Sequence, residues 1–171
     1  MSTLAVDTIT PKSSVGVTFS DYVIEQWRLT TSEGTSDAVV DNWERVDDAT
    51  SSSINAGMTQ SSGVFTFPST GLWLVTVHLG IYLDGSDGSA GAYLQASSDS
   101  GNAYDTLGLI YEGGDSASNL SGGLACLINV TNASTFRFRL ESDSLTSGSL
   151  IRGDTDRTRS SILFERKGNS Q

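Results

Sequence analysis

The sequence predicts an all-β protein: an antiparallel two-sheet jelly-roll sandwich of about ten strands with an extended N-terminal arm. Three observations lead to this fold class. Apolar and polar residues alternate with a period of two through most of the chain. No window keeps the i, i+3, i+4, i+7 apolar spacing of an amphipathic helix. Clusters of Gly, Ser, Asp and Asn separate the alternating runs, as turns separate short strands.

The strand predicted over residues 72–83 has two different faces. Its even-numbered positions are mixed, whereas its odd-numbered positions are all apolar. The odd-numbered residues are Trp73, Val75, Val77, Leu79, Ile81 and Leu83. The odd face is therefore predicted to be core, and the other face is amphipathic enough to meet a second surface.

Other strands follow the same alternation. Phe136, Phe138 and Leu140 alternate with Arg137, Arg139 and Glu141, which is the cleanest half-buried pattern in the chain. Further strands are predicted near residues 38–47, 54–60, 63–67, 90–97, 104–112, 123–130 and 147–152, and in the closing segment with Ile162 and Phe164. The missing helices rule out a parallel βαβ architecture.

The domain organisation is predicted as an arm, a head and a tail. Residues 1–36 have too little apolar content to form a core, so they are expected to be an extended arm that lies on another surface. Residues 37–167 are the jelly-roll head, and residues 168–171 are a C-terminal tail. The expected anchoring residues of the arm are Leu4, Val6, Ile9, Val15, Val17 and Phe19.

Charge and composition narrow the function classes. The net charge is −10, from 20 acidic and 10 basic residues, so nucleic acid and anionic lipid are excluded as partners. No apolar run approaches the roughly 20 residues that span a bilayer, and membrane insertion is not expected. The opening MSTLAVDTIT lacks the basic and apolar regions of a secretory signal peptide. A single cysteine excludes an internal disulfide framework and a thiolate zinc site.

The segment GVFTFPSTGLWLV resembles the signature block of complement globular-head and tumour-necrosis-factor-like jelly rolls, G-x-F-x-x-P-x-x-G-x-[YW]-x-[VF]. The residues that fill the block are Gly63, Phe65, Pro68, Gly71, Trp73 and Val75. The resemblance extends over roughly residues 38–166 and implies a non-enzymatic trimer. Each protomer of such a trimer buries one face of its sandwich around a three-fold axis.

The residues of this block also have a physical role. Gly63 and Gly71 permit tight turns, and Pro68 ends a strand where no amide donor is needed. Phe65 and Trp73 are expected to stack across the two sheets. The trimer interface is expected on the even face of residues 72–83. Its residues are Leu72, Leu74, His78 and Tyr82.

A second resemblance concerns the N-terminus. LAVDTITPKSSVGV is similar to the L-x-V-D-x-I leader of many structural proteins of tailed bacteriophages, where it precedes fibre, decoration and adhesin modules. The matched residues are Leu4, Val6, Asp7, Ile9, Gly16 and Val17. This resemblance implies that residues 1–36 attach the head to other virion proteins.

Catalytic and metal sites are weighed against simpler explanations. Cys126 and His78 are the residues from which a nucleophile pair could form, but Cys126 lies on an apolar strand and is expected to be an inert buried thiol. No cofactor is expected. Calcium is the one candidate metal, although Asp-Gly pairs are first of all turn residues. Its candidate ligands are the loop carboxylates of Asp84, Asp87, Glu112 and Asp115.

Two short motifs point to partners only in special contexts. Arg152-Gly153-Asp154 spells an integrin-binding tripeptide, but a polar turn is the simpler interpretation. The sequons at Asn119, Asn129 and Asn132 matter only in a eukaryotic secretory pathway.

The function predicted from these features is that of a non-enzymatic bacteriophage virion protein on the capsid or tail surface. It would be a homotrimer that acts either as a capsid decoration or cement protein, or as a short fibre or adhesin head. An adhesin head would bind a host-surface neutral glycan or protein receptor through polar loops. The alternatives are a soluble cytokine-like or complement-like binding module and, third, a capsule-degrading enzyme.

Overall fold

The computed structural model describes residues 22–146 and 148–171. These residues form eleven strands in two antiparallel sheets and contain no helix. The predicted two-sheet jelly-roll sandwich is confirmed. The strands are β1 (Ile24–Leu29), β2 (Trp43–Arg45), β3 (Thr59–Ser61), β4 (Val64–Thr66), β5 (Gly71–Leu83), β6 (Ser89–Ser97), β7 (Asp105–Gly113), β8 (Ser118–Val130), β9 (Arg137–Asp143), β10 (Leu150–Ile151) and β11 (Ser161–Gly168).

The first sheet, sheet A, is organised around β5. One edge of β5 pairs with β8 along its whole length, and the other edge pairs with β11 and then with β10. Beyond β11 the sheet continues through β1 to β2. The second sheet, sheet B, has the order β3-β4-β9-β6-β7. The odd-numbered residues of β5 are all buried, whereas the even-numbered ones are partly or fully exposed, as the alternation predicts.

The core between the sheets is rich in aromatic rings. Phe65 of β4 is fully buried, and its ring centroid lies 5.3 Å from that of Trp27 and 5.1 Å from that of Phe164, both on sheet A. The ring that packs edge-on against Trp73 is Phe67, at 5.3 Å, rather than Phe65 as expected. Phe67 follows β4 directly, so the aromatic contact between sheets is shared by two successive inward residues.

Two glycines of the signature block occupy backbone that other residues rarely adopt. Gly63 has φ of 78°, and a Cβ there would lie 2.4 Å from the Val40 carbonyl oxygen. Gly71 has φ of 152°, and a Cβ there would lie 2.7 Å from the Gly168 oxygen. Both positions therefore require glycine because of backbone conformation and close approach together.

The expected boundary between arm and head at residue 36 needs correction. β1 lies inside sheet A, paired with β11 on one side and with β2 on the other. Val23, Trp27 and Leu29 belong to the hydrophobic core. Residues 22–36 are thus part of the head.

The other terminal predictions fall into two groups. The expected anchoring residues lie outside the described residues: Leu4, Val6, Ile9, Val15, Val17 and Phe19. At the C-terminus, Gly168 ends β11. The Gln171 backbone N–H donates to Asn129 Oδ1 at 2.9 Å, and Asn129 Nδ2 donates to the Gln171 oxygen at 2.7 Å. The end of the tail is therefore bound to β8.

Deletion of residues 1–21 and deletion of residues 1–36 are expected to have different effects on the stability of the head. Deleting residues 1–21 leaves all eleven of the described strands, so the head should unfold cooperatively on heating. Deleting residues 1–36 removes β1. Its loss leaves β2 without a partner strand, exposes one edge of β11 and opens the core at Trp27 and Leu29. Thermal unfolding followed by circular dichroism measures both. A cooperative transition in the longer deletion would contradict the placement of β1.

Candidate interaction surfaces

The outer side of sheet A carries a group of leucines that the core does not use. We call Leu72, Leu74, Leu127 and Leu163 the leucine face. Leu74 of β5 lies opposite Leu127 of β8, and Leu127 is 61% exposed. On the other edge of β5, Leu163 of β11 lies opposite Thr76. The leucine face lies on three neighbouring strands directly behind the core, and Glu165 of β11 lies opposite Leu74 at its border.

The remaining predicted interface residues lie on the same side of the sheet. His78 is exposed and lies between Gly123 of β8 and Ser161 of β11, so small residues flank it. Tyr82 is half-buried and lies opposite Asn119 of β8. The four residues expected at a trimer interface therefore share one strand face. The side becomes more polar from Leu72 toward Tyr82.

A cleft at the edge of the sandwich is a feature that sequence analysis missed. It has a volume of about 290 Å³ and lies where β7 of sheet B meets β8 of sheet A. Its lining residues are Ala96, Ser97, Ser98, Asp105, Leu107, Leu127, Ile128, Asn129 and Phe136. The register of β6 against β7 shifts between Leu94 and Gln95. The period-two alternation of the sequence does not reveal such an irregularity. We call this site the edge cleft.

The loops that carry Asp84, Asp87 and Asp115, called here the acidic loops, meet at the end of the sandwich remote from Tyr22. The Asp84 backbone N–H donates to Ser149 Oγ at 2.8 Å, and the Gly114 N–H donates to the Gly88 oxygen at 3.3 Å. Asp87 is buried, and its carboxylate accepts a hydrogen bond from Thr146.

The candidate calcium ligands are not brought together at this end. Asp84 Oδ1 accepts the Ser86 backbone N–H, and Asp115 is exposed on the turn between β7 and β8. Glu112 lies within β7, beside Gly122 of β8. Within residues 22–146 and 148–171, no three His, Cys, Asp or Glu side chains form a group that could hold a metal ion.

The integrin-like tripeptide is part of a hydrogen-bonded turn. The carboxylate of Asp154 accepts a 2.9 Å bond from Arg159 Nε and hydrogen bonds from the backbone N–H groups of Asp156 and Arg157, and these interactions hold its pKa below the usual range. The Arg152 guanidinium donates to the side chain of Asn119. Both charged groups of the motif are thus used within the chain.

The sequon asparagines also have local partners. Asn119 contacts Arg152, and Asn129 holds the C-terminus through Gln171. The Asn132 side chain accepts bonds from the backbone N–H and the hydroxyl of Ser134 in the turn that follows β8.

Cys126 and His78 lie on opposite sides of sheet A. Cys126 lies opposite the buried Val75 and packs against the core, whereas His78 is exposed on the outer side. Burial raises the pKa of the Cys126 thiol to about 11. A thiol with this pKa and no imidazole on its side of the sheet is not activated as a nucleophile.

Two charged residues of β1 fix the segment that follows β2. The Glu25 carboxylate is buried, and it accepts the Met58 backbone N–H at 2.5 Å and Arg45 Nε at 2.9 Å. Arg28 is also buried, and it donates to three carboxylates at 2.6–2.8 Å. Those carboxylates belong to Glu44, Asp47 and Asp48. These pairs hold the loop across sheet A and explain why charged residues occur inside a core strand.

Comparison of the chain with solved structures identifies several similar folds. The structure of Eiger TNF from S. frugiperda superposes with a TM-score of 0.66 and 17% identity, covering 88% of this chain and 96% of that one. Murine APRIL at pH 5.0 superposes with a TM-score of 0.61 and 13% identity, covering 85% of this chain and 98% of that one. The globular domain of zebrafish complement 1qA superposes with a TM-score of 0.52 and 14% identity, covering 84% of this chain and 94% of that one. The fold is that of the tumour-necrosis-factor and complement 1q globular domains.

Sequence comparison adds no closer relationship. No protein-family model matches the chain, and no curated protein sequence matches it. In the part of the chain that the structure describes, no helix is long and apolar enough to cross a membrane.

The reactivity of Cys126 is expected to report folding. With a pKa of about 11, only about a thousandth of the thiol is ionised at pH 8. Alkylation by iodoacetamide in the folded protein should be at least about 100-fold slower than in urea, where an ordinary thiol pKa returns. Cys126→Ser is the blank for the assay. Equal rates in the folded and unfolded protein would show that the thiol is accessible and activated.

Proposed function

We propose that this chain is a non-enzymatic, homotrimeric display and binding module. The observation that carries the proposal is the leucine face. The core side of sheet A is already complete, yet Leu74, Leu127 and Leu163 form a second apolar surface on the outside of the same sheet. A surface of this kind is typical of a protein–protein interface.

A closed ring of three copies accounts for two apolar surfaces on each protomer. The edge cleft contains Leu107, which is 39% exposed, and it shares Leu127 with the leucine face. A head-to-tail interface joins two different surfaces, and it closes into a ring when the rotation between copies allows. A side chain from the leucine face of one protomer would enter the edge cleft of the next. The family that the residue 63–75 block resembles implies that the ring has three members.

The absence of an enzymatic activity is proposed from what the candidate groups do. The Cys126 thiol faces the core, and its raised pKa opposes ionisation. The buried carboxylate of Glu25 is bound by Arg45 and a backbone N–H, and the carboxylate of Asp154 is bound within a turn. These groups contribute to structure, and the fold neighbours Eiger TNF, APRIL and complement 1qA suggest binding rather than catalysis.

The finer proposal is that the trimer is a structural protein on the surface of a bacteriophage particle. It is supported by the leader resemblance of residues 4–17, which implies attachment to other virion proteins through the N-terminal residues. Tyr22 lies at the end of the sandwich opposite the acidic loops at Asp84 and Asp87, so attachment there would leave those loops outward. Capsid decoration and a fibre or adhesin head both fit this arrangement.

A second candidate, a soluble cytokine-like or complement-like binding module, is favoured by the fold comparison. Eiger TNF and murine APRIL each cover more than four-fifths of this chain with TM-scores above 0.6. The two candidates share the trimer and the absence of catalysis. They differ in whether the protein is fixed to a particle.

Substitution of two exposed leucines, one on each sheet, tests the proposed trimer. The unmodified chain should scatter light as a particle with three times its 18.0 kDa mass at micromolar concentration. Leu127→Lys places a charge on the leucine face and should give monomers. Leu109→Lys is the matched control, because Leu109 is 55% exposed but lies on sheet B. A monomeric unmodified chain, or equal effects of both substitutions, would refute the arrangement.

The virion proposal is tested on purified phage particles that carry this gene. Mass spectrometry and immunogold labelling should find the protein on the outside of the particle. Particles without it would lose stability if it is cement, or lose host adsorption if it is an adhesin. Protein recovered only in the particle-free fraction would instead favour the soluble module.

A further inference from the structure

The outer side of sheet B carries an aromatic surface that is separate from the leucine face and the edge cleft. Tyr93 of β6 lies opposite Leu109 of β7 and Glu141 of β9. Tyr111 follows on β7, and its ring meets that of Tyr93 edge-on at 6.0 Å. Arg139 of β9 lies beside Glu141 on the same side, opposite Gln95. We call Tyr93, Leu109, Tyr111, Arg139 and Glu141 the tyrosine face.

The polar groups of the tyrosine face are held in place before any ligand arrives. Arg139 donates from Nε to Gln95 at 2.7 Å and from Nη2 to Glu141 at 2.5 Å, and its guanidinium lies 3.9 Å from the ring centre of Tyr104. The Tyr93 hydroxyl donates to Asp143 at 3.1 Å. Side chains that are already fixed lose little conformational entropy on binding, which favours affinity for a partner of matching shape.

The chemistry of this surface fits a carbohydrate. A neutral sugar ring has an apolar C–H side that packs on aromatic or aliphatic groups, and hydroxyls that both donate and accept hydrogen bonds. Tyr111 and Leu109 supply the apolar contact. Glu141 and Asp143 accept hydrogen bonds, and Arg139 donates them. The three strands β7, β6 and β9 span about 10 Å, a length that accommodates a disaccharide unit of a chain.

Charge separates neutral from anionic glycans as the partner. The tyrosine face and its neighbour Asp143 hold two carboxylates against one guanidinium, and the whole chain has a net charge of −10. A sulfated or carboxylated polymer would be repelled at both levels. A protein partner would be expected to meet a more continuous apolar surface, because the centre of protein interfaces is depleted in charged residues.

We propose that the tyrosine face is a binding surface for a neutral polysaccharide. This inference rests on the proposed function for its biological setting, because it assigns a ligand class to the adhesin form of the display module. In the proposed trimer, each leucine face is covered by the next protomer and the three tyrosine faces point outward. Binding at each site is then strengthened by simultaneous engagement of one polymer.

The experiment measures binding of the full chain to an array of immobilised polysaccharides. The neutral probes are dextran, mannan, galactan and laminarin together with neutral bacterial capsule and O-antigen chains; the anionic probes are alginate and dextran sulfate. At least one neutral probe should bind and the anionic ones should not. Tyr111→Ala should weaken that binding by at least about tenfold, and Tyr93→Phe should weaken it less, because the ring remains.

The matched control is Tyr22→Ala, since Tyr22 is an exposed tyrosine outside sheet B and its loss should leave binding unchanged. Circular dichroism of each variant verifies folding. Binding to no neutral probe, binding only to anionic probes, or equal effects of Tyr111→Ala and Tyr22→Ala would each overturn the proposal. Light scattering on the same samples separates the two inferences: a trimer without glycan binding retains the display module alone, and a monomer that binds retains the tyrosine face alone.

Discussion

The pairing of β5 on both edges is the constraint on which the rest of the structure depends. Its thirteen residues pair with β8 over their full length and with β11 and β10 on the other side. Every odd-numbered side chain from Trp73 to Leu83 is buried against sheet B. Since side chains of a strand alternate, the even-numbered ones are committed to the outer side. The same strand therefore defines the core and orients the leucine face.

Two buried charged residues determine how the segment around β2 packs against sheet A. Glu25 and Arg28 lie in β1, between β11 and β2, and each is compensated by partners from the segment around β2. Glu25 and Arg28 are the buried members of these pairs, so removal of their partly exposed partners would leave a buried charge uncompensated. These pairs specify the path of residues 43–58 more strictly than apolar packing could, since their donors and acceptors have direction.

Comparison of sequence and structure shows which physical signals are local. Local alternation is sufficient to predict β5 from residues 72–83 and β9 from the Phe136–Leu140 pattern. A strand that buries one face has apolar residues at every second position, and this spacing is visible among neighbouring residues. The sequence places β1 in the arm because residues 1–36 have little apolar content, and Glu25 and Arg28 of β1 are charged residues that the structure buries. Their partners lie 16–33 residues away, beyond any local pattern. The edge cleft and the tyrosine face depend on strand register, which the sequence does not show.

The contact between Gln171 and Asn129 has a consequence for the connectivity of the fold. It places the C-terminus at the end of the sandwich where Val23 accepts a hydrogen bond from Arg166, so the head starts and finishes at the same end. The order of the strands along the chain is therefore separable from their arrangement in space. A circular permutant that joins these ends through a short linker and opens the chain at the exposed turn around Gly85 would keep every strand pairing, with its new termini among the acidic loops.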